Sequence, residues 1–342
     1  MGEGILVCCS KPASHLVRQF LAVAAILVAT APALAQGRIE INATPISSFD
    51  HRDPELRRFG NLEFRGGVQL TSSSREFGGL SGLRMQPDGR AFIAVTDAGR
   101  WLRGRVVYSG SAPSGIAEAE MAPLLGADGR RLAARGWFDS EAIAEGGGAI
   151  YVGIERVQRI VKFDFAKNGF KARGVPIAVP PEFTTMPSNK GIEALAVVPK
   201  GQPLAGALIV ISEADLDAAG NIKAHLLGGP SPGAFSVKRS DDFDVTDCTL
   251  LPNGDLLILE RRFSLLRGPA VRIRQIAAGE LRPGATVTGE QLLYADVGQQ
   301  VDNFEALGIH HTPTGETVLT LVSDNNFSSL QRTLLMQFTL LK

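Results

Sequence analysis

Five times along the chain one short pattern returns: a polar or acidic start, a run of small apolar residues, a glycine turn, and a β-rich stretch ending in a carboxylate. The first copy reads Gly79-Leu-Ser-Gly-Leu83, turns at Pro87-Asp-Gly89 and returns as Ala91-Phe-Ile-Ala-Val-Thr-Asp97. The others are built around Glu141, Glu193, Asp247 and Glu305, so successive copies are offset by 60, 52, 54 and 58 residues. Pro-x-Gly suits a tight turn, because proline presets one φ and glycine accepts the left-handed conformation beside it. Units of this length, made of short strands and turns, are the signature of propeller blades. Helical repeats are excluded by the β-branched, glycine-punctuated character of each unit.

The chain is therefore expected to be all-β, a single β-propeller. Five blades are countable, and the long stretch joining the last copy round to the first leaves room for a degenerate sixth. Further strands are expected within each period, such as Arg159–Phe165 and Ala270–Ile276, each with one face solvated. Leu62–Leu70 and Arg332–Leu340 read as strands outside the repeats. Their pairing would close the ring and remove an open edge that could template aggregation.

Two acidic series follow the repeat. One is Glu141, Glu193, Asp247 and Glu305, with Ser81 as the exception in the first copy; the other is Asp97, Glu155, Glu213, Glu260 and Asp324. Radial repetition carries equivalent residues to equivalent heights, so each series becomes a ring near the central channel. Crowded carboxylates raise one another's pKa unless a cation offsets them. Ca²⁺ is the natural filler, since it accepts six to eight oxygen ligands in flexible geometry. All nine carboxylates are candidate metal ligands, with Glu193 and Glu305 also placed at the catalytic centre. The competing reading is that carboxylates after strands cap turns or bond neighbouring blades. Arg100, Arg156 and Arg261 follow the second series closely and are candidate clamps for a small anionic substrate.

Other chemistries are poorly represented. Basic and acidic residues balance at 35 each, which argues against a nucleic-acid binder, and 44% hydrophobic content argues against disorder. No G-x-S-x-G elbow, H-E-x-x-H or P-loop is present; Ser81 lies on a repeat strand, where a nucleophile elbow is not expected. His310-His311 and the other histidines read as core or surface residues. Residues 20–30 form an apolar run preceded by Lys11 and Arg18 and followed by Ala33-Leu-Ala35. This predicts an export signal over 1–35 cleaved after Ala35, a lead-in segment over 36–60, and the propeller over 61–342. The expected location is periplasmic or secreted, with no membrane span after cleavage, and the expected state is a monomer. Only Cys248 then remains, as a buried thiol.

The segments Phe77-Gly-Gly-Leu-Ser-Gly-Leu83, Asp139-Ser-Glu-Ala-Ile143, Asn189-Lys-Gly-Ile-Glu-Ala-Leu195 and Asn303-Phe-Glu-Ala-Leu307 resemble the exported bacterial phytase-like proteins, the "esterase-like activity of phytase" family. The likeness runs over residues 60–342. It implies a β-propeller, export, and Ca²⁺-dependent hydrolysis of phosphate esters. The Asp-Asp-Pro-Ala signature of the better-known β-propeller phytases is absent, Arg52-Asp53-Pro54 being the nearest fragment. A Ca²⁺-dependent lactonase or carboxylesterase is the rival enzyme reading. A non-catalytic ligand- or partner-binding propeller with structural Ca²⁺ is the rival outside enzymes.

Overall fold

The computed structural model describes residues 1–2 and 37–341, so the expected leader and its cleavage point at Ala35 lie outside the described residues. The compact unit has five antiparallel blades. Their innermost strands are Leu80–Met85, Ser140–Gly146, Ile192–Val197, Asp244–Leu250 and Phe304–His311, in blades 1 to 5. Each innermost strand packs beside the next, and the fifth packs beside the first, so the ring is closed. These strands are small and apolar because both faces are covered by neighbouring blades; in blade 1 all six residues are buried.

The hydrophobic core divides in the same way. Five clusters lie at the five blade interfaces: Trp101 with Phe163 between blades 1 and 2, Ala144 with Val210 between 2 and 3, Ile211 with Ile258 between 3 and 4. Leu259 with Leu307 fills the interface of blades 4 and 5, and Leu83 with Ala306 that of 5 and 1. No sixth blade forms among the described residues. The chain left over thickens existing blades instead. Gly37–Arg38 extends blade 1, while Asn42–Ile46 and Arg58–Phe59 flank Leu62–Thr71 in blade 5.

Closure comes from the expected pair. Thr333–Leu340 runs antiparallel to Leu62–Thr71, with Thr333 opposite Leu70 and Leu340 opposite Leu62. Short parallel pairings cover the outer edges of blades 2 and 3, at Leu125–Gly126 and Thr286–Val287. Such covering suppresses edge-to-edge association. One expectation changes: Gly268–Ile276 is buried on both faces along most of its length, including Arg272 and Arg274. Both arginines close on the buried carboxylate of Glu260, at 2.7 and 2.5 Å, which makes their burial tolerable.

A second buried pair plugs the channel. Arg84 of blade 1 meets Asp247 of blade 4 bidentately, at 3.0 and 3.1 Å. The same guanidinium donates to the carbonyls of Leu195, Cys248 and Leu307, at 2.8, 2.9 and 3.2 Å. One side chain thus ties blades 1, 3, 4 and 5 across the axis. Burial pushes Asp247 upward, and the guanidinium and the N–H groups of Cys248 and Leu307 offset only part of that shift. Breaking such a pair strands a buried charge, so Arg84→Met or Asp247→Leu is expected to lower unfolding free energy by about 3–5 kcal/mol in urea titrations. Arg84→Met/Asp247→Leu should recover part of that loss, leaving the cost of the carbonyls and of the Cys248 and Leu307 N–H groups that lose their partners. Additive losses in the double variant would refute coupling across the channel.

Candidate active site

Every innermost strand carries a one-residue bulge near its start. The pairing skips between Leu80 and Gly82, Ser140 and Ala142, Ile192 and Ala194, Val245 and Asp247, and Phe304 and Ala306. The extra residues are Ser81, Glu141, Glu193, Thr246 and Glu305. A bulge leaves its extra residue outside the ladder and re-aims its side chain, which is why bulges gather beside active sites. The strand following each bulge then supplies a second tier: Asp97, Glu155, Glu213, Arg261 and Asp324. The N–H groups of Asp97, Glu155, Glu213 and Asp324 donate to Gly79, Asp139, Gly191 and Asn303, each two residues before a bulge, at 2.8–2.9 Å. Arg261 stands opposite Asp244 in the same way.

Three glutamates of the inner tier and all five members of the outer tier line one cavity of about 440 Å³, with Asp139, Arg156 and Asn189 at its border. Blade 4 departs from the expected pattern. Thr246, not Asp247, takes its bulge, and Arg261, not Glu260, takes its outer position. Asp247 points down the channel to Arg84, and Glu260 is turned into the blade towards Arg272 and Arg274. Neither joins the basin. Arg100 is also elsewhere, paired with Glu76 at 2.5 Å. Asp97, Glu141, Glu155, Glu193, Glu213, Glu305, Asp324, Arg156 and Arg261 are brought together.

Arg261 is a counter-ion tethered inside the ring. It reaches Glu213 at 3.1 Å, Glu305 at 3.3 Å and the Asn303 carboxamide oxygen at 2.7 Å. Arg156 instead lies over the ring of Phe138, 4.6 Å from its centroid, and makes no ion pair among the described residues. Asp139 adopts a left-handed backbone, φ 61°, which aspartate tolerates better than most residues. Gly79 is left-handed as well; a Cβ there would stand 1.9 Å from Asp97 Oδ1, so glycine is what lets that carboxylate reach the basin. The sequence reading missed Asp139, although it opens the Asp139-Ser-Glu motif one residue before the bulged strand.

The charge imbalance is written into the acidities. Burial, then the Asp324 and Asp139 charges, push Asp97 up to about 7. Burial likewise takes Glu155 to about 7 against the Gly191 N–H bonded to it. Glu305 rises to about 8 by burial, opposed by Arg261, and Asp324 to about 6. Glu141 and Glu193 are held well above the ordinary range by burial and by their acidic neighbours. Asp97 Oδ1 and Glu305 Oε2 are buried without a hydrogen-bond partner.

This donor set fits a hard cation in chemistry, being all oxygen, buried and short of positive charge. As the side chains stand, no three His, Cys, Asp or Glu groups among the described residues are grouped closely enough to ligate one ion. Side chains turning inward or bridging waters would complete such a shell. The remaining candidates lie apart: Cys248 is a free buried thiol, Ser81 donates to Gly79 O at 3.2 Å, and burial pushes His310 down to about 4. No helix among the described residues is long and apolar enough to cross a membrane.

A family profile described as "Phytase-like: Esterase-like activity of phytase" matches residues 75–327. The search of curated proteins finds no match. Among solved structures, the glutaminyl cyclase of Myxococcus xanthus is 14% identical, over 78% of this chain and 92% of that one, with a TM-score of 0.42. YCF48 bound to D1 peptide is 13% identical over 82% and 70%, with a TM-score of 0.34. An oxidoreductase (glucose dehydrogenase) of Thermus thermophilus is 14% identical over 87% and 100%, with a TM-score of 0.32.

Raised carboxyl pKa values have a definite effect on stability. Between the ordinary carboxylate range and pH 8 the folded chain retains protons that the unfolded chain has released, so stability falls as pH rises through that window. In chelator, the Tm is therefore expected to drop from pH 5 to pH 8. Glu193→Gln should raise the Tm at pH 8 and leave it nearly unchanged at pH 5. A variant less stable than the parent at pH 8 would contradict the crowding.

Proposed function

The chain belongs to the phytase-like family, and from that premise we propose that its acidic basin is a Ca²⁺-dependent active site hydrolysing an anionic ester, most simply a phosphomonoester. The supporting observation is the pair of buried, partnerless oxygens on Asp97 and Glu305 within two tiers of carboxylates that hold only one tethered arginine. Glu141, Glu193 and Glu305 of the inner tier would hold the ion, with Asp97 and Asp324 beside them. A bound Ca²⁺ would supply charge for the phosphoryl oxygens and lower the pKa of a water.

The protein's own groups do the rest. Arg156, stacked on Phe138, offers its guanidinium to a substrate oxygen, a planar donor well matched to phosphate. Burial holds Asp97 and Glu155 near 7 in the metal-free basin; a bound cation would draw the carboxyls beside it down, which leaves Glu155, outside the proposed ligand set, as the group that first accepts and then returns a proton. In the proposed step water oxygen bonds to phosphorus and the phosphorus–oxygen ester bond breaks. The water proton passes to the outer-tier carboxylate and then to the leaving alcohol. Periplasmic or secreted location, proposed from residues 1–35, suits a weak site, since extracellular Ca²⁺ modules bind at roughly 10⁻⁴–10⁻³ M.

One observation favours a second reading, a non-catalytic Ca²⁺-binding propeller: two of the three expected anion clamps, Arg100 and Arg261, are engaged by glutamates. Hydrolysis of p-nitrophenyl phosphate and p-nitrophenyl acetate, each with Ca²⁺ and with chelator, separates the two. Phosphatase activity that requires Ca²⁺ is expected, reduced by about 100-fold or more in Glu193→Gln and in Glu305→Gln. Glu155→Gln should also lose the acidic limb of kcat/KM. A Tm raised by Ca²⁺ with neither substrate turned over favours the binding module. Acetate hydrolysis indifferent to chelator would overturn the metal-dependent reading.

A further inference from the structure

The most exposed large apolar side chains of the described fold share one face. Leu265 and Leu266, 94% and 98% exposed, form the tip of the hairpin joining Leu256–Ser264 to Gly268–Ile276, with Phe263 at 71% beside them. Leu330, 92% exposed, lies in the loop between Thr317–Ser323 and Thr333–Leu340. Both loops continue upward from outer-tier positions: the hairpin begins three residues after Arg261, and the loop begins at Asp324. Phe263 and Leu330 line a cavity that shares Arg261 with the acidic basin, on its blade 4 and blade 5 side. Apolar residues clustered this way mark a binding surface, whereas scattered ones need no explanation.

Between the two loops is a groove of about 660 Å³, a size typical of small-molecule sites. Phe263, Pro269, Ala270, Val301 and Leu330 give it apolar walls. Its charged residues are already engaged. Arg332 is held by Asp302 at 3.1 Å and Gln300 at 2.9 Å, and Arg262 by Tyr294 Oη and the Asp241 carbonyl, both at 3.3 Å. Arg261 lines both the groove and the basin. Asn303, also in the groove, donates to Glu305 Oε1 at 2.8 Å. The two cavities thus meet at an Arg261–Asn303–Glu305 partition, polar on one side and apolar on the other.

We infer that the groove is a subsite for the alcohol portion of the ester, and that this portion is an alkyl or aryl group and not a polyol. The inference deepens the proposed hydrolysis and rests on that reading for the location of the reacting group. A polyol would find most polar groups of the groove engaged, the Gln331 carboxamide and the buried Arg262 Nε excepted, and would exchange good hydration for apolar walls. An alkyl chain would be removed from water at each methylene, a gain of up to about fourfold in affinity per CH₂.

The test is calorimetric titration of methyl, hexyl and decyl phosphate into the full chain with Ca²⁺ present, with turnover of each ester followed in parallel. Affinity is expected to rise at least tenfold from methyl to decyl phosphate. Phe263→Ser and Leu330→Ser, both at exposed positions that leave the core intact, should remove most of that rise and leave methyl phosphate unchanged. Decyl phosphate bound with this gain but not cleaved would uphold the subsite and refute the hydrolysis. Methyl phosphate cleaved with affinity flat along the series would refute the subsite and uphold the hydrolysis. Decyl phosphate failing to bind where methyl phosphate binds would overturn the subsite.

Discussion

The single-residue bulge shared by all five innermost strands is the constraint on which this site depends. Along a regular strand, side chains alternate between faces, and in a propeller both faces of an innermost strand are pressed against neighbouring blades. A glutamate there would be buried with no solvent and no partner. The bulge removes one residue from the ladder and turns it to the channel mouth, so three glutamates stand in a circle while the small residues around them keep packing. The repeated bond from each outer-tier N–H to the carbonyl two residues before the bulge fixes the height of the second tier relative to the first.

Much of this was legible in the chain. The repeat of small residues, Pro-x-Gly turns and terminal carboxylates gives the blade and a count of five with a sixth left open, and the unclaimed strands at the two ends give the closure. Blade 4 was not legible from residue type, because an acidic residue lies one position away from each structural site. Asp247 neighbours Thr246, and Glu260 neighbours Arg261. In a strand a shift of one residue sends a side chain to the opposite face, so those two carboxylates serve the channel plug and the blade interior. Turn spacing does carry the signal. Six residues before Pro87, Pro199 and Pro252 lie Ser81, Glu193 and Thr246, whereas in blade 5 the interval from Glu305 to Pro313 is eight. The partners of the displaced carboxylates, Arg84 and the Arg272–Arg274 pair, come from segments that the repeat does not align, so their meeting is a property of the closed ring.

The departure in blade 4 gives the basin its polarity. With an ideal repeat, the ring would present ten carboxylates of equal standing and no preferred side. Threonine and arginine in blade 4 replace two negative groups and add a positive one, anchored to Glu213 and Glu305. Ser81 in blade 1 removes another, but Asp97, Asp139 and Asp324 crowd the same region. Uncompensated negative charge is therefore concentrated away from Arg261, where Asp97 Oδ1 has no partner. On the proposed reading a mobile cation would be drawn to that half of the basin, because the other half already contains a charge that cannot leave.

The same arginine explains why polar and apolar surfaces can adjoin without a gap. Its guanidinium satisfies carboxylates on the basin side, and its position at the start of the exposed hairpin brings Phe263 two residues later to the groove. A lysine could neutralise charge there, but it could not bind Glu213, Glu305 and Asn303 at once with fixed planar geometry. Charge compensation and the boundary between the cavities are thus one function of one side chain. The asymmetry that disrupts the repeat in blade 4 would, on the proposed reading, also orient a ligand, its anionic end towards the open half of the ring and its apolar end towards the hairpin.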